Sequence, residues 1–189
     1  KLIMELIVRK YGGTSVDSID KIKKIALKTK NDIQNNNKIL LVVSAMGKST
    51  DDLLDQAKQI SNSPDRRELD LLMSSGEIIS STLMSIALQE IGVKAKSLTG
   101  FQAGIDTNSR FGQAEIQSIN NSRIVNEIQN NNTLVIAGFQ GFNENLDITT
   151  LGRGGSDTTA VALAASIKES ICEIYTDVKG IYTADPRIV

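Results

Sequence analysis

Short apolar runs alternate with longer amphipathic stretches along the chain. Five runs rich in Val, Ile and Leu are predicted to be strands, at 3–8, 39–43, 93–98, 133–137 and 171–176. Apolar runs without polar alternation are typical of strands covered on both faces, as in parallel sheets. Five amphipathic stretches are predicted to be helices, at 20–34, 51–60, 65–91, 122–129 and 156–168, the third with an interruption near Gly76. The pattern predicts an α/β fold, a three-layer αβα sandwich with a largely parallel central sheet.

Composition narrows the class of partner. The chain has 189 residues, of which 40% are apolar, and its 21 basic and 22 acidic side chains give a net charge of −1. That balance provides no electrostatic footprint for nucleic acid or an anionic membrane surface. Its apolar runs are far shorter than the roughly 20 residues of a membrane span, and the N-terminus lacks the layout of a signal peptide. We therefore expect no nucleic-acid partner, no membrane partner and a cytoplasmic location.

The reactive side chains are restricted in type. The chain contains no histidine and a single cysteine, Cys172. Disulfides within the chain, cysteine zinc sites and nucleophiles activated by histidine are therefore excluded. Any chemistry must use lysine, arginine, carboxylates and hydroxyls, and no protein metal ligands are predicted.

A glycine turn follows the first predicted strand. Lys10, Gly12 and Gly13 lie between that strand and the first predicted helix. Adjacent glycines leave backbone N–H groups open to an anion, the helix offers its positive N-terminal end, and Lys10 adds a mobile charge. The segment is a candidate nucleotide-phosphate site. An ordinary strand-to-helix turn with a surface lysine is the alternative, because glycine pairs mark many turns.

Two other glycine segments resemble nucleotide motifs without fitting them. Gly47-Lys48-Ser49 looks like the end of a Walker A loop, but Val42 stands where that motif requires glycine. In the segment 152–157, Asp157 stands where a dinucleotide fingerprint needs its third glycine, and its carboxylate would face a pyrophosphate. A P-loop and a Rossmann dehydrogenase are therefore disfavoured.

The segment 149–160 suggests a site for a carboxylate. Arg153 lies among glycines at the start of a predicted helix, and its guanidinium can hold a carboxylate through two parallel hydrogen bonds. Ser156 or Asp157 could instead be a simple helix N-cap. Glu77 follows Gly76 within an apolar helical stretch, where glycine costs about 1 kcal/mol relative to alanine. Glu77 could face a ligand ammonium, or it could be a solvated glutamate.

Six motifs together resemble the aspartokinases of the amino-acid kinase fold, in order and over nearly the whole chain. They are Lys10 to Ser15, Val42 to Gly47, Ser75 to Glu77, Gly138 to Gly141, Thr149 to Ala160 and Tyr175 to Arg187. The resemblance implies transfer of the γ-phosphoryl group of MgATP to the β-carboxylate of L-aspartate, the first step toward lysine, methionine and threonine. A carboxylate acceptor is already ionised at neutral pH, so no general base is required.

The resemblance also implies a role for each site residue. Lys10 and Asp157 are the catalytic pair, Lys10 as the main cation at the phosphates and Asp157 as the group that orients it. Arg153 is assigned to the α-carboxylate of the acceptor L-aspartate and Glu77 to its ammonium. Thr50, Gly154 and Gly155 are expected to surround this substrate. ATP is assigned to Lys10, Gly12, Gly13, Ser44, Ser156, Thr176, Asp177, Tyr182, Asp185 and Arg187. Mg²⁺ is expected on phosphate oxygens and water rather than in a protein cage.

The chain departs from the aspartokinase pattern in two respects. Residues 1–189 are expected to form a catalytic domain that is truncated at its C-terminal end, without the ACT-type regulatory domains and the second lysine of the family. Arg110 to Gly112 stands where many relatives have a histidine. A noncatalytic fragment that binds nucleotide or amino acid, and a related kinase for another carboxylate, are the alternatives. The complete enzyme is expected to be a homo-oligomer.

Overall fold

The computed structural model describes residues 6–168 and 170–176. Nine strands, five helices and one short 3₁₀ turn (Gly13–Ser15) follow one another in this part of the chain. The strands are β1 Leu6–Tyr11, β2 Lys38–Val43, β3 Ala95–Leu98, β4 Ile105–Thr107, β5 Ile116–Ile119, β6 Thr133–Ala137, β7 Gln140–Phe142, β8 Ile148–Thr150 and β9 Ser170–Tyr175. The helices are α1 Ile19–Gln34, α2 Ser49–Ile60, α3 Arg66–Glu90, α4 Ser122–Gln129 and α5 Gly155–Ser166.

The predicted parallel sheet forms the centre of the fold. Its strand order is β3-β6-β2-β1-β9, and every pairing within it is parallel. Along β2, Leu40 and Val42 pack on α4 and α5, whereas Leu41 and Val43 pack on α1 and α3. One apolar core therefore lies on each face of the sheet, between the sheet and a layer of helices. The predicted αβα architecture is confirmed.

A second, smaller sheet was not predicted. It has the order β5-β4-β7-β8 and mixes antiparallel and parallel pairs. Each of its strands has only three or four residues. Strands this short carry too few alternating positions to be separated from loops by their sequence pattern.

Most predicted helices and strands are found within a few residues of their expected bounds. The interruption near Gly76 was wrong, because α3 runs unbroken from Arg66 to Glu90. Gly76 has a packing reason instead, since a Cβ at this position would lie 2.8 Å from the Cβ of Ala45. The loop after β2 thus approaches α3 more closely than any side chain at position 76 would allow.

Helix α3 is part of the core. Within the described ranges it is the one helix with the length and mean hydropathy, 1.4, of a membrane span. Its buried face, however, carries Asp70 and Glu77, both of which accept hydrogen bonds from backbone N–H groups of the protein. Met84 and Leu88 further along the helix are fully buried in the same core as α1.

Candidate active site

A cavity of about 190 Å³ lies where three parallel strands end. Lys10 near the end of β1, Ser44 after β2 and Phe139 after β6 all line it. Ligands of open α/β sheets characteristically bind at this carboxyl edge. The lining is Lys10, Ser44, Thr50, Glu77, Phe139, Gly154, Gly155, Ser156 and Asp157. A larger cavity of about 290 Å³ at the opposite end of the strands is lined mainly by Asn and Ile, and it gathers no comparable set of charges.

The centre of the site is an ion pair between Lys10 and Asp157. Lys10 Nζ lies 2.7 Å from Asp157 Oδ1, and this oxygen is shielded from solvent. Asp157 lies in the first turn of α5, where the helix dipole favours a negative charge. The pairing joins strand β1 to the start of α5.

The strand that carries Lys10 is fixed on its other face by Arg9. The Arg9 side chain is buried, and its Nε lies 2.7 Å from Glu173 on β9 while its Nη1 lies 2.6 Å from Asp32 on α1. These contacts tie β1 to β9 and to α1. Since successive side chains of a strand alternate between faces, Lys10 is left facing the cavity.

The glycine turn differs in one detail from its prediction. Helix α1 does not follow it directly, because a 3₁₀ turn intervenes and α1 begins at Ile19 with Ser18 as its N-cap. Gly13 is required for space, and Gly12 keeps a side chain away from Lys10. A Cβ at Gly13 would lie 2.8 Å from the carbonyl oxygen of Ala45, and one at Gly12 would lie 3.3 Å from Lys10 Nζ. The turn therefore packs on the loop after β2 and leaves Lys10 unobstructed.

The start of α5 is built from glycine backbone rather than from a capping side chain. Gly154 is the N-cap, with a φ of 77°, and no side-chain hydrogen bond caps the helix. The alternative that Ser156 or Asp157 is a simple N-cap is therefore wrong. A Cβ at Gly155 would lie 2.8 Å from side-chain atoms of both Leu151 and Phe139. The Gly155 and Asp157 N–H groups donate within this turn, to the carbonyls of Gly152 at 2.9 Å and Gly154 at 3.0 Å, and Ser156 lines the cavity between them.

Glu77 is a buried carboxylate that faces the same cavity. It is 3% exposed, its Oε1 accepts a hydrogen bond from the Ala45 N–H at 3.0 Å, and its buried Oε2 has no hydrogen-bond partner in the described part of the protein. Burial raises the pKa of Glu77 to about 7. The alternative of a solvated glutamate is therefore wrong. Ser80, one turn later on α3, donates to the carbonyl of Ser44 at 2.7 Å and so holds that loop against the helix.

Phe139 lines the cavity, although no role was predicted for it. Its backbone is left-handed, with a φ of 67°, which is rare for a bulky residue. The Phe139 N–H donates to Thr159 Oγ1 at 3.1 Å, and its carbonyl accepts from the Leu151 N–H at 2.8 Å. The surrounding structure thus holds a strained residue in the wall of the site. The only signal in the sequence was its position within Gly138 to Gly141.

Some predicted residues are not brought into the cavity. Arg153 is exposed, and no partner among the described residues engages its guanidinium. Thr176 follows β9 and does not line the cavity. The remaining nucleotide-side predictions lie outside the described residues: Asp177, Tyr182, Asp185 and Arg187. Across 6–168 and 170–176, no group of three metal-ligating side chains is close enough to hold a metal ion.

Comparisons with known proteins agree with this architecture. A model of the amino acid kinase family matches residues 5–189. The chain is 53% identical to the aspartokinase of Geobacillus stearothermophilus, over 98% of this chain and 46% of that enzyme. The resemblance to aspartokinases is therefore confirmed, while the chain spans about half the length of such curated relatives.

Solved structures show the same similarity. The aspartate kinase of Synechocystis is 50% identical with a TM-score of 0.82, covering 97% of this chain and 30% of that one. Aspartokinase III of E. coli, solved with aspartate and ADP, is 28% identical with a TM-score of 0.85, covering 98% of this chain and 52% of that one. The fold, the site at the strand ends and the family match agree, and the chain belongs to the amino acid kinase family.

Proposed function

We propose that this protein is the catalytic part of an aspartate kinase, which transfers the γ-phosphoryl group of MgATP to the β-carboxylate of L-aspartate and forms 4-phospho-L-aspartate and ADP. The observation that carries the proposal is a single cavity that holds both the Lys10–Asp157 pair and the unpartnered carboxylate oxygen of Glu77. The Lys10–Asp157 pair suits a transferring phosphoryl group, and the Glu77 oxygen suits an ammonium.

The size of the cavity supports a small acceptor. Its volume, about 190 Å³, is below the roughly 300 Å³ at which drug-sized ligand pockets begin. An amino acid can enter such a space, while the nucleoside of ATP would lie outside it. We assign the nucleoside to the segment that begins at Thr176, with Asp177, Tyr182, Asp185 and Arg187.

The proposed chemistry needs positioning and charge rather than a base. The β-carboxylate attacks the γ-phosphorus in its ionised form, and Lys10 neutralises charge that spreads over the transferring oxygens. Ser156, at the start of α5, would contact phosphate, and Ser44, Gly12 and Gly13 would border it from the other side. Thr50 would close the acceptor pocket beside Glu77.

Several features of the complete enzyme belong to the same proposal. We expect Mg²⁺ to be bound mainly by phosphate oxygens and water, which suits this hard ion. We also expect a cytoplasmic homo-oligomer. Size-exclusion chromatography with light scattering on the complete enzyme tests the oligomeric state, and a monomeric mass would contradict it.

Acceptor specificity tests the proposed function directly. Acyl phosphates are trapped by hydroxylamine, so hydroxamate formation should depend on MgATP and L-aspartate together. L-glutamate and N-acetyl-L-glutamate serve as competing acceptors in parallel reactions. A turnover faster with either of them than with L-aspartate would assign the enzyme to another member of the family. No turnover with any acceptor by the complete enzyme would favour a binding protein without catalysis.

Arg153→Lys should raise the KM for aspartate about 30-fold and leave the KM for ATP nearly unchanged. Lysine keeps the charge but loses the two parallel hydrogen bonds, a loss of about 2 kcal/mol. Because Arg153 is exposed and unengaged here, the substitution should not affect stability. Steady-state kinetics with each substrate varied in turn measure both constants. Equal shifts in the two KM values would show that Arg153 does not hold the aspartate carboxylate.

A further inference from the structure

One face of α3 carries a row of polar residues that contact separate segments around the site. Arg67, Asp70, Ser74 and Glu77 are spaced three or four residues apart, so they share one side of the helix. Arg67 Nε lies 2.7 Å from Asp147 in the β7–β8 turn. The carbonyl of Ser74 accepts from Gln140 Nε2 at 2.8 Å. Glu77, at the end of the row, accepts from Ala45.

Asp70 is one of two buried carboxylates in this row, the other being Glu77. It is 1% exposed, and its Oδ2 accepts from the N–H groups of Thr150 at 2.7 Å and Gly112 at 3.0 Å. Its Oδ1 accepts from the Thr150 hydroxyl at 2.9 Å. Burial raises the pKa of Asp70, and these hydrogen bonds oppose the rise. No lysine or arginine of the described ranges pairs with it, so hydrogen-bond donors alone satisfy this buried carboxylate.

The partners of Asp70 lead directly into the substrate side of the cavity. Thr150 is the last residue of β8, and its carbonyl accepts from the Ala114 N–H at 2.9 Å. The next residue, Leu151, donates to the carbonyl of the strained Phe139. Arg153, Gly154 and the start of α5 follow. The position of this segment relative to α3 therefore depends on the contact between Asp70 and Thr150.

Glu77 lies two turns along the same helix from Asp70. We propose that Asp70 is a positioning residue, which sets the distance between Glu77 and the Arg153 segment and thereby tunes the site for its acceptor amino acid. The inference rests on the proposed function for the identity of that acceptor. Asp70 itself does not line the cavity and contacts no reacting atom.

Asp70 also binds the loop 110–112, and the loop contributes only a backbone N–H to this contact. Gly112 has a φ of 80°, which favours glycine, and its N–H rather than a side chain binds Asp70. The anchoring of this loop is therefore independent of the side chain at Arg110, which is exposed and pairs with Glu115 on the surface.

Asp70→Asn in the complete enzyme tests the inference. The asparagine amide nitrogen cannot accept a hydrogen bond, so one side of the contact with Thr150 and Gly112 is lost. We expect the KM for aspartate to rise about 10-fold, with the KM for ATP unchanged within about twofold and a smaller change in kcat. Asp65→Ala is the matched control. It removes the α3 N-cap, which binds the N–H groups of Arg67 and Glu68, and should lower stability without changing the KM for aspartate.

Substitutions of Thr150 keep the inference testable if the Asp70 variant does not fold. Thr150→Val removes only the hydroxyl donor and should raise the KM for aspartate about threefold, whereas Thr150→Ser should restore the wild-type value. Hydrogen exchange on the complete enzyme adds a readout independent of turnover. The amides of Thr150 and Gly112 should lose protection in Asp70→Asn and keep it in Asp65→Ala.

The outcomes separate the two proposals. If the wild-type enzyme phosphorylates aspartate but its two KM values shift equally in Asp70→Asn, or neither shifts, the positioning role is overturned and the function stands. If the wild-type enzyme does not use aspartate, the proposed function fails. In that case hydrogen exchange decides whether Asp70 anchors the segment, and unchanged protection would overturn that role as well.

Discussion

Lys10→Ala should lower kcat about 10³-fold while both substrates still bind. The ammonium lies beside the proposed position of the transferring phosphoryl group, where negative charge develops most in the transition state. A preorganised charge of this kind is worth about 4 kcal/mol to the transition state and much less to the ground state. Turnover assays give kcat, and calorimetry with a nonhydrolysable ATP analogue gives the nucleotide affinity, both on the complete enzyme.

An exposed lysine on the neighbouring helix provides the control for Lys10. Lys24→Ala removes the same charge from the solvent face of α1 and should leave kcat unchanged. Because Lys10 pairs with Asp157, its removal also leaves a partly buried carboxylate, so the unfolding midpoint should be measured for both variants. A Lys10→Ala enzyme that folds and keeps the wild-type kcat would remove this residue from the mechanism.

Glu77→Gln should raise the KM for aspartate about 100-fold. The substitution keeps the shape and the acceptor for the Ala45 N–H, but it removes the negative charge that would bind the substrate ammonium. Loss of one partner from a buried charged pair costs about 3 kcal/mol. Glu90→Gln, on the exposed end of the same helix, should leave both KM values unchanged. A wild-type KM for aspartate in Glu77→Gln would exclude Glu77 as the ammonium partner.

Glu77→Gln should stabilise the ligand-free protein at alkaline pH. The folded-state pKa of Glu77, about 7, is above its value of 4.5 in an unfolded chain, so the folded state binds the proton more tightly. The contribution of this group to the unfolding free energy therefore falls as pH rises from about 4.5 to 7, by about 3 kcal/mol at most. Urea midpoints should be similar for the two proteins at pH 5 and higher for Glu77→Gln at pH 8.

The pH dependence of kcat/KM for aspartate should follow the ionisation of Glu77. Only ionised Glu77 can hold an ammonium, so kcat/KM for aspartate should fall as pH drops below about 7 in the wild-type enzyme. Glu77→Gln should lack this dependence. A wild-type profile that is flat between pH 6 and 8 would contradict the assignment, because the free enzyme would then not need to ionise Glu77.

The sequence predicted the central sheet and much of the site because both rest on local patterns. Apolar strands end within two residues of Lys10, Ser44 and Phe139, and parallel strands bring such ends to one edge. Asp157 was assigned to Lys10 only by the resemblance, because α5 is not part of the sheet. The role of Gly76 was not predictable from local sequence, because it depends on the approach of Ala45 from another part of the chain.

Asp70 shows why the rest of the site could not be predicted from the residues alone. An aspartate in an amphipathic helix normally faces solvent, and nothing in the neighbouring sequence marks its partners. Those partners are backbone groups on β8 and the loop at Gly112, which only tertiary packing brings to it. For Arg153 the reverse holds. Its suitability for binding a carboxylate was evident from the sequence, but its guanidinium lies outside the cavity.

The parallel order of the central sheet also has a kinetic consequence. The cavity combines segments near residues 10, 44, 77, 139 and 157, and only the segments near 139 and 157 are joined by a hairpin, β7–β8. Long-range contacts of this kind form only after the intervening chain has been ordered, so such topologies fold slowly. Helical structure can therefore return during refolding well before Lys10 meets Asp157. The recovery of activity would report completion of the fold, and circular dichroism would report an earlier stage.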